Sequence, residues 1–333
     1  MGKPEDKYFR NHLELIDLMR SRHIDITDEE NAAYILKNIP YYNLINNHKE
    51  TFSMMDEHRN CNDDYNNTNF DDIRRVYDFE KEISSILYRY ISIIEETLKS
   101  MIPHSISDEY GYLQKDYLEE ENYKKGDIKN DGNGNHYSDR DKLLRKLNEK
   151  HELAYNPSIK HYKTEYQNVP PWILVNDCTF GELVNWLKLS NDKVKNNVIY
   201  HCLDESKKDK LDVPSYFFAC LYNINEYRNI VSHGGRIFHH KCKHTQSCGL
   251  MKKYLDSYSI KMNNEAVGKD GFLSIVFSLI SVFSSRDVIR RNFIEDILEC
   301  FSEFKIDSEE LYTLLLVRCD IKEVFLLRLK EFI

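Results

Sequence analysis

An arginine and a histidine separated by four residues stand at the end of an apolar pattern with helical spacing. They delimit the run Arg228-Asn229-Ile230-Val231-Ser232-His233. A histidine that titrates near neutral pH can carry the proton of an attacking or departing oxygen, and an arginine can stabilise the charge that develops on a phosphate. Cleavage of RNA by its own 2′-hydroxyl group needs these two functions and no metal ion. The pattern therefore predicts an RNA-cleaving site made of Arg228, Asn229 and His233, with Asn229 in an orienting role.

The spacing alone is a weak signal because the chain contains 13 histidines. An arginine followed by a histidine after four to six residues is expected roughly twice by chance in such a chain. The pattern does occur a second time, between Arg145 and His151. The mixed charges around that second copy indicate an exposed helix face, so we assign the chemistry to the first.

A basic stretch surrounds the first copy. From Tyr227 to Leu255 the sequence contains four histidines and no Asp or Glu, although the whole chain has a net charge of −9. A solvated basic loop is one interpretation. A phosphate-binding surface is the other, since Lys and Arg contacts to phosphates provide most non-specific affinity for nucleic acids. The second interpretation predicts RNA contacts by Arg236, Lys241, Lys243, Lys252 and Lys253.

RNA cleavage and RNA binding are separate hypotheses. The Arg and His pair favours cleavage. The length of the basic stretch beyond this pair favours a non-catalytic RNA-binding module that holds a small structured RNA or an antitoxin partner. In such a module the pair would serve only contact or dimer packing.

Two other groups of residues have the right types for metal binding but the wrong spacing. Cys242 and Cys248 lie near His239, His240 and His244 in the sequence. The spacing of the two cysteines matches no common structural zinc site, and no second cysteine pair follows. The run that starts at Asp131 lacks the glycine and the glutamate that a calcium loop requires at its sixth and twelfth positions. We therefore expect no metal ion and no other cofactor.

The composition predicts an all-α fold. The 333 residues are 41% hydrophobic and include only 11 glycines and 7 prolines, which disfavours turn-rich β folds and disordered tracts. The start of the chain has no apolar segment, and the most apolar run, Phe272 to Phe283, is shorter than the roughly 20 residues that span a bilayer. The eight cysteines form no C-x-x-C pair. These features predict a cytoplasmic protein without a membrane segment or disulfide framework.

Helix signals place the candidate site. A helix from about Pro214 ends at Gly234-Gly235 and puts the Arg228 pattern at its C-terminal end. Apolar residues from Ile73 onward predict a long helix that Pro103 ends. The spacing of Thr27 and Thr179, each three residues before a glutamate, predicts capping boxes at two further helix starts.

We expect three segments along the chain. Residues 1–62 form an N-terminal helical segment, residues 63–260 a helical core, and residues 261–333 a C-terminal helical extension. Within the core, residues 111–168 are polar and rich in tyrosine, which indicates an irregular insertion with one helix near Asp139 to Leu153. Trp172 and Trp186 could stack on nucleic-acid bases, but large aromatic residues are more often buried, so both are expected in the core.

Several blocks of the sequence, taken in order, resemble the Abi-like family of bacterial abortive-infection proteins (the AbiD/AbiF group), which belongs to the HEPN superfamily of helical RNases. The most specific block is similar to the family pattern Y-R-N-x-x-x-H-x-x-R-x-F and runs from Tyr227 to Phe238. The likeness extends to about residue 240, and its other blocks are residues 13–22, 33–42, 76–82, 94–99, 171–172 and 179–183.

Two positions depart from the family pattern. Asn176 stands where the family usually has a glutamate, and Lys99 replaces the usual arginine, which keeps the charge but loses the planar fork. The resemblance implies a HEPN-type helical bundle and a metal-independent endoribonuclease that acts as a toxin in abortive infection. It also implies a homodimer that brings two copies of the Arg and His motif into one cleft.

The basic stretch yields a first prediction. If its lysines contact phosphates, replacing Lys241, Lys243, Lys252 and Lys253 together by alanine weakens RNA binding and flattens its dependence on salt. Each lost contact removes about 0.7 from the slope of log affinity against log salt concentration on single-stranded RNA. Fluorescence anisotropy over a series of salt concentrations measures that slope, and an unchanged slope contradicts the prediction.

Overall fold

A computed structural model describes residues 8–55, 61–130, 134, 136–204, 212–243 and 271–333 of the chain. Lys252, Lys253 and Cys248 lie outside the described residues. The predicted all-α fold is confirmed, because most of the described chain is helical and the strands are only two or three residues long. Among the described residues no helix is both long and apolar enough to span a membrane.

Helices and short strands follow one another along the described residues. The helices are α1 His12–Ser21, α2 Glu29–Asn38, α3 Tyr41–Leu44, α4 Lys49–Phe52, α5 Phe70–Tyr110, α6 Gln114–Tyr117, α7 Asp139–Leu153, α8 Pro157–Tyr166, α9 Pro171–Leu174, α10 Phe180–Leu189, α11 Asp192–Cys202, α12 Val213–Ser232, α13 Phe272–Val282, α14 Asp287–Asp307, α15 Glu309–Arg318 and α16 Glu323–Arg328. The strands are β1 Ile24–Asp25, β2 Thr68–Asn69, β3 Ile128–Asn130 and β4 His136–Ser138. Strand β1 pairs with β2 in parallel, and β3 pairs with β4 in antiparallel orientation.

Packing divides the chain into two compact units. Unit 1 comprises Met1–Ile86, Gly234–His240 and Glu295–Leu329, and unit 2 comprises Leu87–His233, Lys241–Ile294 and Lys330–Ile333. These units group residues by contact. The three segments expected from the sequence are defined by position along the chain instead. The division into these three segments therefore stays a prediction.

Helix α5 continues through Pro103, so the expected end at this residue is wrong. A proline inside a helix removes one hydrogen bond and costs about 3 kcal/mol. Ile102 and Ile106, on either side of the proline, are fully buried, and each stabilises the helix by about 1.5–3 kcal/mol through burial. Tertiary packing therefore outweighs the local penalty, and α5 ends at Tyr110.

The helix starts agree with the sequence in one case and differ by one residue in the other. At α10, Thr179 and Glu182 form the predicted capping box, each accepting from the backbone N–H of the other. At α2 the cap is Asp28 and not Thr27, because the Asp28 carboxylate accepts the backbone N–H of Asn31 at 2.9 Å. A carboxylate at this position also suits the positive end of the helix dipole.

Helices α12 and α13 pack against each other in unit 2 through a polar seam inside an apolar interface. The Tyr216 hydroxyl and Ser281 Oγ lie 2.7 Å apart, and Asn223 Nδ2 donates to Ser278 Oγ at 3.4 Å. Every residue of α13 is buried, which confirms that its apolar run is a core helix. The seam sets how α12, the helix that ends in the Arg228 pattern, packs on α13.

The polar region of residues 111–168 is more ordered than expected. Helix α7 has the predicted bounds, and the region also contains α6, α8 and the hairpin of β3 and β4. Trp186 is buried as expected, and its Nε1–H donates to the Tyr123 hydroxyl at 3.0 Å. The expectation for Trp172 is wrong, because this side chain is exposed at the first turn of α9.

Candidate functional site at the end of helix α12

The Arg228 pattern occupies the last turns of α12, as the sequence predicted. The helix ends at Ser232, and the backbone N–H of His233 still donates to the carbonyls of Asn229 and Ile230 at 3.2 Å each. Gly234 then takes a φ of +66°. A residue with a side chain rarely adopts this left-handed conformation, so the glycine is what allows the chain to leave the helix here.

Arg228 is held by an acidic residue of α5. Its Nε lies 3.4 Å from Glu95 Oε2, and the ammonium of Lys99 lies 2.9 Å from Glu95 Oε1. The Glu95 side chain is only 15% exposed. Two cations share one carboxylate, so the group Glu95, Lys99 and Arg228 has a net charge of +1. Such a group is suited to receive an anion.

The contact with Glu95 orients Arg228 without using its whole guanidinium. Only Nε faces the carboxylate, and within the described chain the two terminal nitrogens make no hydrogen bond. The Arg228 side chain is 33% exposed. An oriented guanidinium with both terminal donors accessible can bind a phosphate in a bidentate manner.

Asn229 and His233 are both exposed. Their side chains make no hydrogen bond or ion pair to any residue that the structure describes. The structure thus brings Arg228 together with Glu95 and Lys99, and it leaves the other two predicted site residues open to solvent on the same helix end.

Sequence reasoning missed Glu95 as the partner of Arg228. The signal that identifies it is the spacing of Glu95 and Lys99, which are four residues apart and so share one helix face. The sequence did contain an indication of Glu95, because this carboxylate can pair with Lys99 in the block 94–99 that resembles the family pattern.

A second carboxylate, which is buried, holds the segment that follows Gly234 in the sequence. Within unit 1, Glu80 Oε1 accepts the backbone N–H groups of Ile237 at 2.7 Å and Phe238 at 3.2 Å, and Oε2 lies 3.1 Å from His48 Nε2. His48 Nδ1 faces the carbonyl of Leu44 at 2.9 Å. Although burial raises the pKa of Glu80, the hydrogen bonds from His48 and the two backbone groups outweigh it and lower this pKa below its usual value.

Aromatic packing and a lysine support the same segment. The Phe79 ring stacks on Phe238 with 5.6 Å between centroids, and on Phe304 with 4.1 Å. The ammonium of Lys81 donates to the carbonyl of Gly234 at 3.1 Å. Residues 79–81 therefore all contact the segment Gly234–His240 or its neighbours in unit 1.

A model of the Abi-like protein family matches residues 34–239. The chain belongs to the Abi-like protein family. A search of curated proteins and a search of solved structures find no match to the chain. The matched region contains both carboxylate networks, that of Glu80 and that of Glu95 with Arg228, and it also contains His233.

In this Abi-like protein the basic stretch acquires acidic neighbours when the chain folds. Arg236 pairs with Glu50 at 3.3 Å, and the backbone N–H of Lys243 donates to both carboxylate oxygens of Glu226 at 3.1 Å. The side chains of Lys241 and Lys243 are exposed and make no ion pair with a described residue. Two of the five predicted RNA contacts, Lys241 and Lys243, thus present unpaired charge.

The second copy of the pattern does not form a comparable group. Arg145 is 65% exposed and lies 3.8 Å from Glu149 on the same face of α7. His151 is mostly buried, and burial lowers its pKa. The two side chains therefore occupy different environments.

His239 lies in a polar cluster of unit 1. Its Nδ1 is 3.0 Å from Glu50 Oε2, and its Nε2 is 2.8 Å from Thr51 Oγ1 and 3.5 Å from Cys319 Sγ. Burial, assisted by the positive charge of Arg236, lowers the pKa of His239 to about 4. The ring is therefore neutral at pH 7, with Nδ1–H donating to Glu50 and Nε2 accepting from Thr51.

This shift predicts a specific dependence of stability on pH. A histidine whose pKa is lower in the folded than in the unfolded chain binds fewer protons when folded, so the free energy of unfolding falls as the pH drops from about 6.5 to about 4. His239→Gln removes this contribution, which amounts to at most about 1.4 kcal/mol per pH unit. Urea unfolding at pH 7, 6 and 5 measures it.

The exposed His12 provides the matched control for that series. His12→Gln is expected to follow the wild-type curve at each pH. If His239→Gln and His12→Gln show the same pH dependence, His239 is not a buried neutral histidine.

Proposed function

We infer from membership of the Abi-like family that this protein acts in abortive infection, the defence of bacteria against phage. We propose that this protein is the toxic effector of such a system, an endoribonuclease of the HEPN type that cleaves RNA without a metal ion. The RNA 2′-hydroxyl attacks the adjacent phosphorus, the bond to the 5′-oxygen breaks, and the upstream product carries a 2′,3′-cyclic phosphate. The observations that carry the proposal are the orientation of Arg228 by Glu95 and the exposure of His233 at the same helix end.

Each site residue has a separate role in this proposal. His233 takes the proton of the 2′-hydroxyl or returns one to the departing 5′-oxygen. Arg228 binds the two non-bridging phosphate oxygens, whose negative charge grows in the transition state. Asn229 orients the RNA at the same helix end. Glu95 acts as a positioning residue, because it contacts Arg228 and not the RNA.

Substitution of the two reacting residues tests the proposal. His233→Ala and Arg228→Ala are each expected to lower RNA cleavage at least about 100-fold, since loss of an acid–base group or of a charge-stabilising donor has effects of this size. His233 is exposed, so its variant keeps the fold. Gel analysis of total RNA incubated with purified protein in EDTA provides the measurement.

Arg145→Ala is the matched control, because Arg145 belongs to the second copy of the same spacing and is more exposed than Arg228. It is expected to cleave at the wild-type rate. If wild type binds RNA without cutting it, the protein is the non-catalytic RNA-binding module. If His233→Ala cuts as fast as wild type, the site lies elsewhere.

Glu95→Gln separates positioning from binding. The amide keeps the shape of the side chain but removes its charge, so Arg228 loses its fixed orientation while the site becomes more positive. We expect kcat to fall about tenfold and KM for RNA to fall as well, because orientation contributes to the transition state and added positive charge favours phosphate binding. Steady-state kinetics at fixed salt measure both. A change in kcat with unchanged or higher KM would show that Glu95 only supports the fold.

We also propose that the active species is a homodimer. One His233 cannot act as base on the 2′-oxygen and as acid on the 5′-oxygen at once, because in-line attack places these atoms on opposite sides of the phosphorus. A two-fold interface supplies a second histidine from the other copy.

Mixing experiments test the composite site. When an excess of His233→Ala chains exchanges into dimers with wild-type chains, activity per wild-type chain is expected to fall. Sedimentation at the working concentration establishes the assembly state. Activity in a monomer, or activity per wild-type chain that does not change on mixing, would replace the composite site with a single-chain one.

A further inference from the structure

Helices α10 and α12 of unit 2 pack side by side, and two contacts show that their outer faces adjoin. A Cβ atom built on Gly181 of α10 would lie 3.6 Å from both terminal atoms of the Asn225 side chain on α12. Two turns farther along α10, the ammonium of Lys188 lies 5.9 Å from the centre of the Tyr222 ring. The two faces therefore run next to each other over about two turns of α10.

Helical spacing identifies the residues that share these faces. Positions 181, 185 and 188 on α10, and 222, 225 and 229 on α12, are three or four residues apart, so each set lies on one side of its helix. All six residues are exposed or half-exposed. We call the surface that they form the polar groove, and its residues are Gly181, Asn185, Lys188, Tyr222, Asn225 and Asn229.

Gly181 leaves space in the groove that its own backbone does not need. Its φ is not in the left-handed region, and an added Cβ would make only an ordinary van der Waals contact. Glycine lowers helix stability relative to alanine, so neither conformation nor packing explains this residue. The space adjoins the Asn225 amide, which makes no hydrogen bond with a described residue. An amide with unused donors and acceptors beside open space suits a ligand with polar edges.

The charge of the polar groove comes from Lys188. This side chain is exposed and forms no ion pair with a described residue. Asp139, which interacts electrostatically with Lys188, is already bonded to the ammonium of Lys129 at 2.6 Å. Glu226, next to Asn225 in the sequence, accepts the backbone N–H of Lys243. The six groove residues thus carry a charge of +1 and include no carboxylate.

The α12 side of the groove leads to the candidate site. Asn229 follows Tyr222 by seven residues and His233 follows Asn229 by four, intervals that keep side chains on one side of a helix. The backbone N–H of His233 still donates to the carbonyl of Asn229, so the helical path extends to His233. Tyr222 and His233 are therefore about 16 Å apart along the helix axis. An extended ligand that follows the polar groove reaches the helix end that carries Arg228 and His233.

We propose that the polar groove holds the single-stranded RNA that adjoins the cleaved bond. Tyr222 stacks on a base, the amides of Asn225 and Asn229 hydrogen-bond to base edges, and Lys188 contacts a phosphate. Unpaired RNA is recognised through these three kinds of contact. The inference rests on the proposed function, since it assigns that activity an unpaired substrate and a path for it.

The composition of the groove favours RNA over a protein partner. The structure describes every residue of α10 and α12, and no large hydrophobic residue of either helix is exposed. The buried centre of a protein interface is mainly apolar. A surface of amides with one unpaired lysine lacks such a centre, whereas it matches the polar edges and the charge of a nucleic-acid strand.

Filling the groove at Gly181 tests the proposal. Gly181→Leu places a side chain beside the Asn225 amide and raises helix propensity, so we expect RNA binding to weaken about tenfold while the unfolding temperature does not fall. Gly181→Ala adds only the Cβ and is expected to bind within about twofold of the parent. The parent is His233→Ala, which leaves the RNA intact. Anisotropy of a labelled twelve-nucleotide oligo(U) measures binding.

Lys188→Gln tests the phosphate contact separately. The side chain is exposed, so the variant keeps the fold, and the slope of log affinity against log salt concentration is expected to fall by about 0.7. Thr313→Leu and Lys37→Gln are the matched controls, because they make the same changes of size or charge at exposed helical positions of unit 1. Each control is expected to bind oligo(U) as the parent does.

The outcomes separate this inference from the proposed function. If wild type cleaves RNA while Gly181→Leu and Lys188→Gln bind as the parent does, the polar groove is not the RNA path, and the proposed cleavage stands. If Thr313→Leu weakens binding as much as Gly181→Leu, or if Gly181→Leu loses only the capture of a protein, the inference is wrong. If the parent does not bind RNA and wild type does not cleave it, the proposed function fails and the inference fails with it.

Discussion

The ion pair between Glu95 and Arg228 is the interaction on which the candidate chemistry depends. An arginine at the end of a helix has many rotamers, and fixing one of them costs conformational entropy before any phosphate binds. Glu95 restricts Arg228 in advance through Nε and leaves the terminal nitrogens accessible. Lys99 offsets the negative charge of Glu95, so the restraint does not turn the site acidic. Orientation and positive charge are thereby obtained together.

The Glu80 network imposes a comparable constraint in unit 1. Its carboxylate is buried, and burial of an unpaired charge is strongly unfavourable. Three hydrogen bonds, two from the backbone of residues 237 and 238 and one from His48, compensate for that burial. Loss of any one partner leaves the buried Glu80 charge with less compensation, so the segment after Gly234 has little freedom to adopt another path within its unit.

Much of the helical framework could be predicted from the sequence, and the exceptions have identifiable physical causes. Periodicity and caps predicted α7, α10 and α12 because those signals are local. The helix end predicted at Pro103 was wrong because the effect of a proline is local, whereas the burial of Ile102 and Ile106 depends on tertiary packing. Trp172 was expected inside because large aromatic residues usually are, whereas the rigid turn that begins α9 at Pro171 leaves it in solvent.

The candidate site shows the same division between local and long-range information. Arg228, Asn229 and His233 were recognisable because all three lie in one helical run. Glu95 was not, because its partner is 133 residues away in the chain. The absence of acidic residues from the basic stretch was likewise a property of the sequence alone. Glu50 and Glu80 come from distant segments, and Glu226 lies directly before the stretch on α12.

The chemistry of the product ends tests the central claim most directly. A defined RNA that the protein cuts is incubated with it in EDTA, alongside the same RNA with a single 2′-deoxy nucleotide on the 5′ side of the cut. The account predicts cleavage in EDTA, a 2′,3′-cyclic phosphate on the upstream fragment, and no cleavage at the deoxy position. Cleavage of the deoxy substrate, or a 3′-hydroxyl end on the upstream fragment, would contradict it.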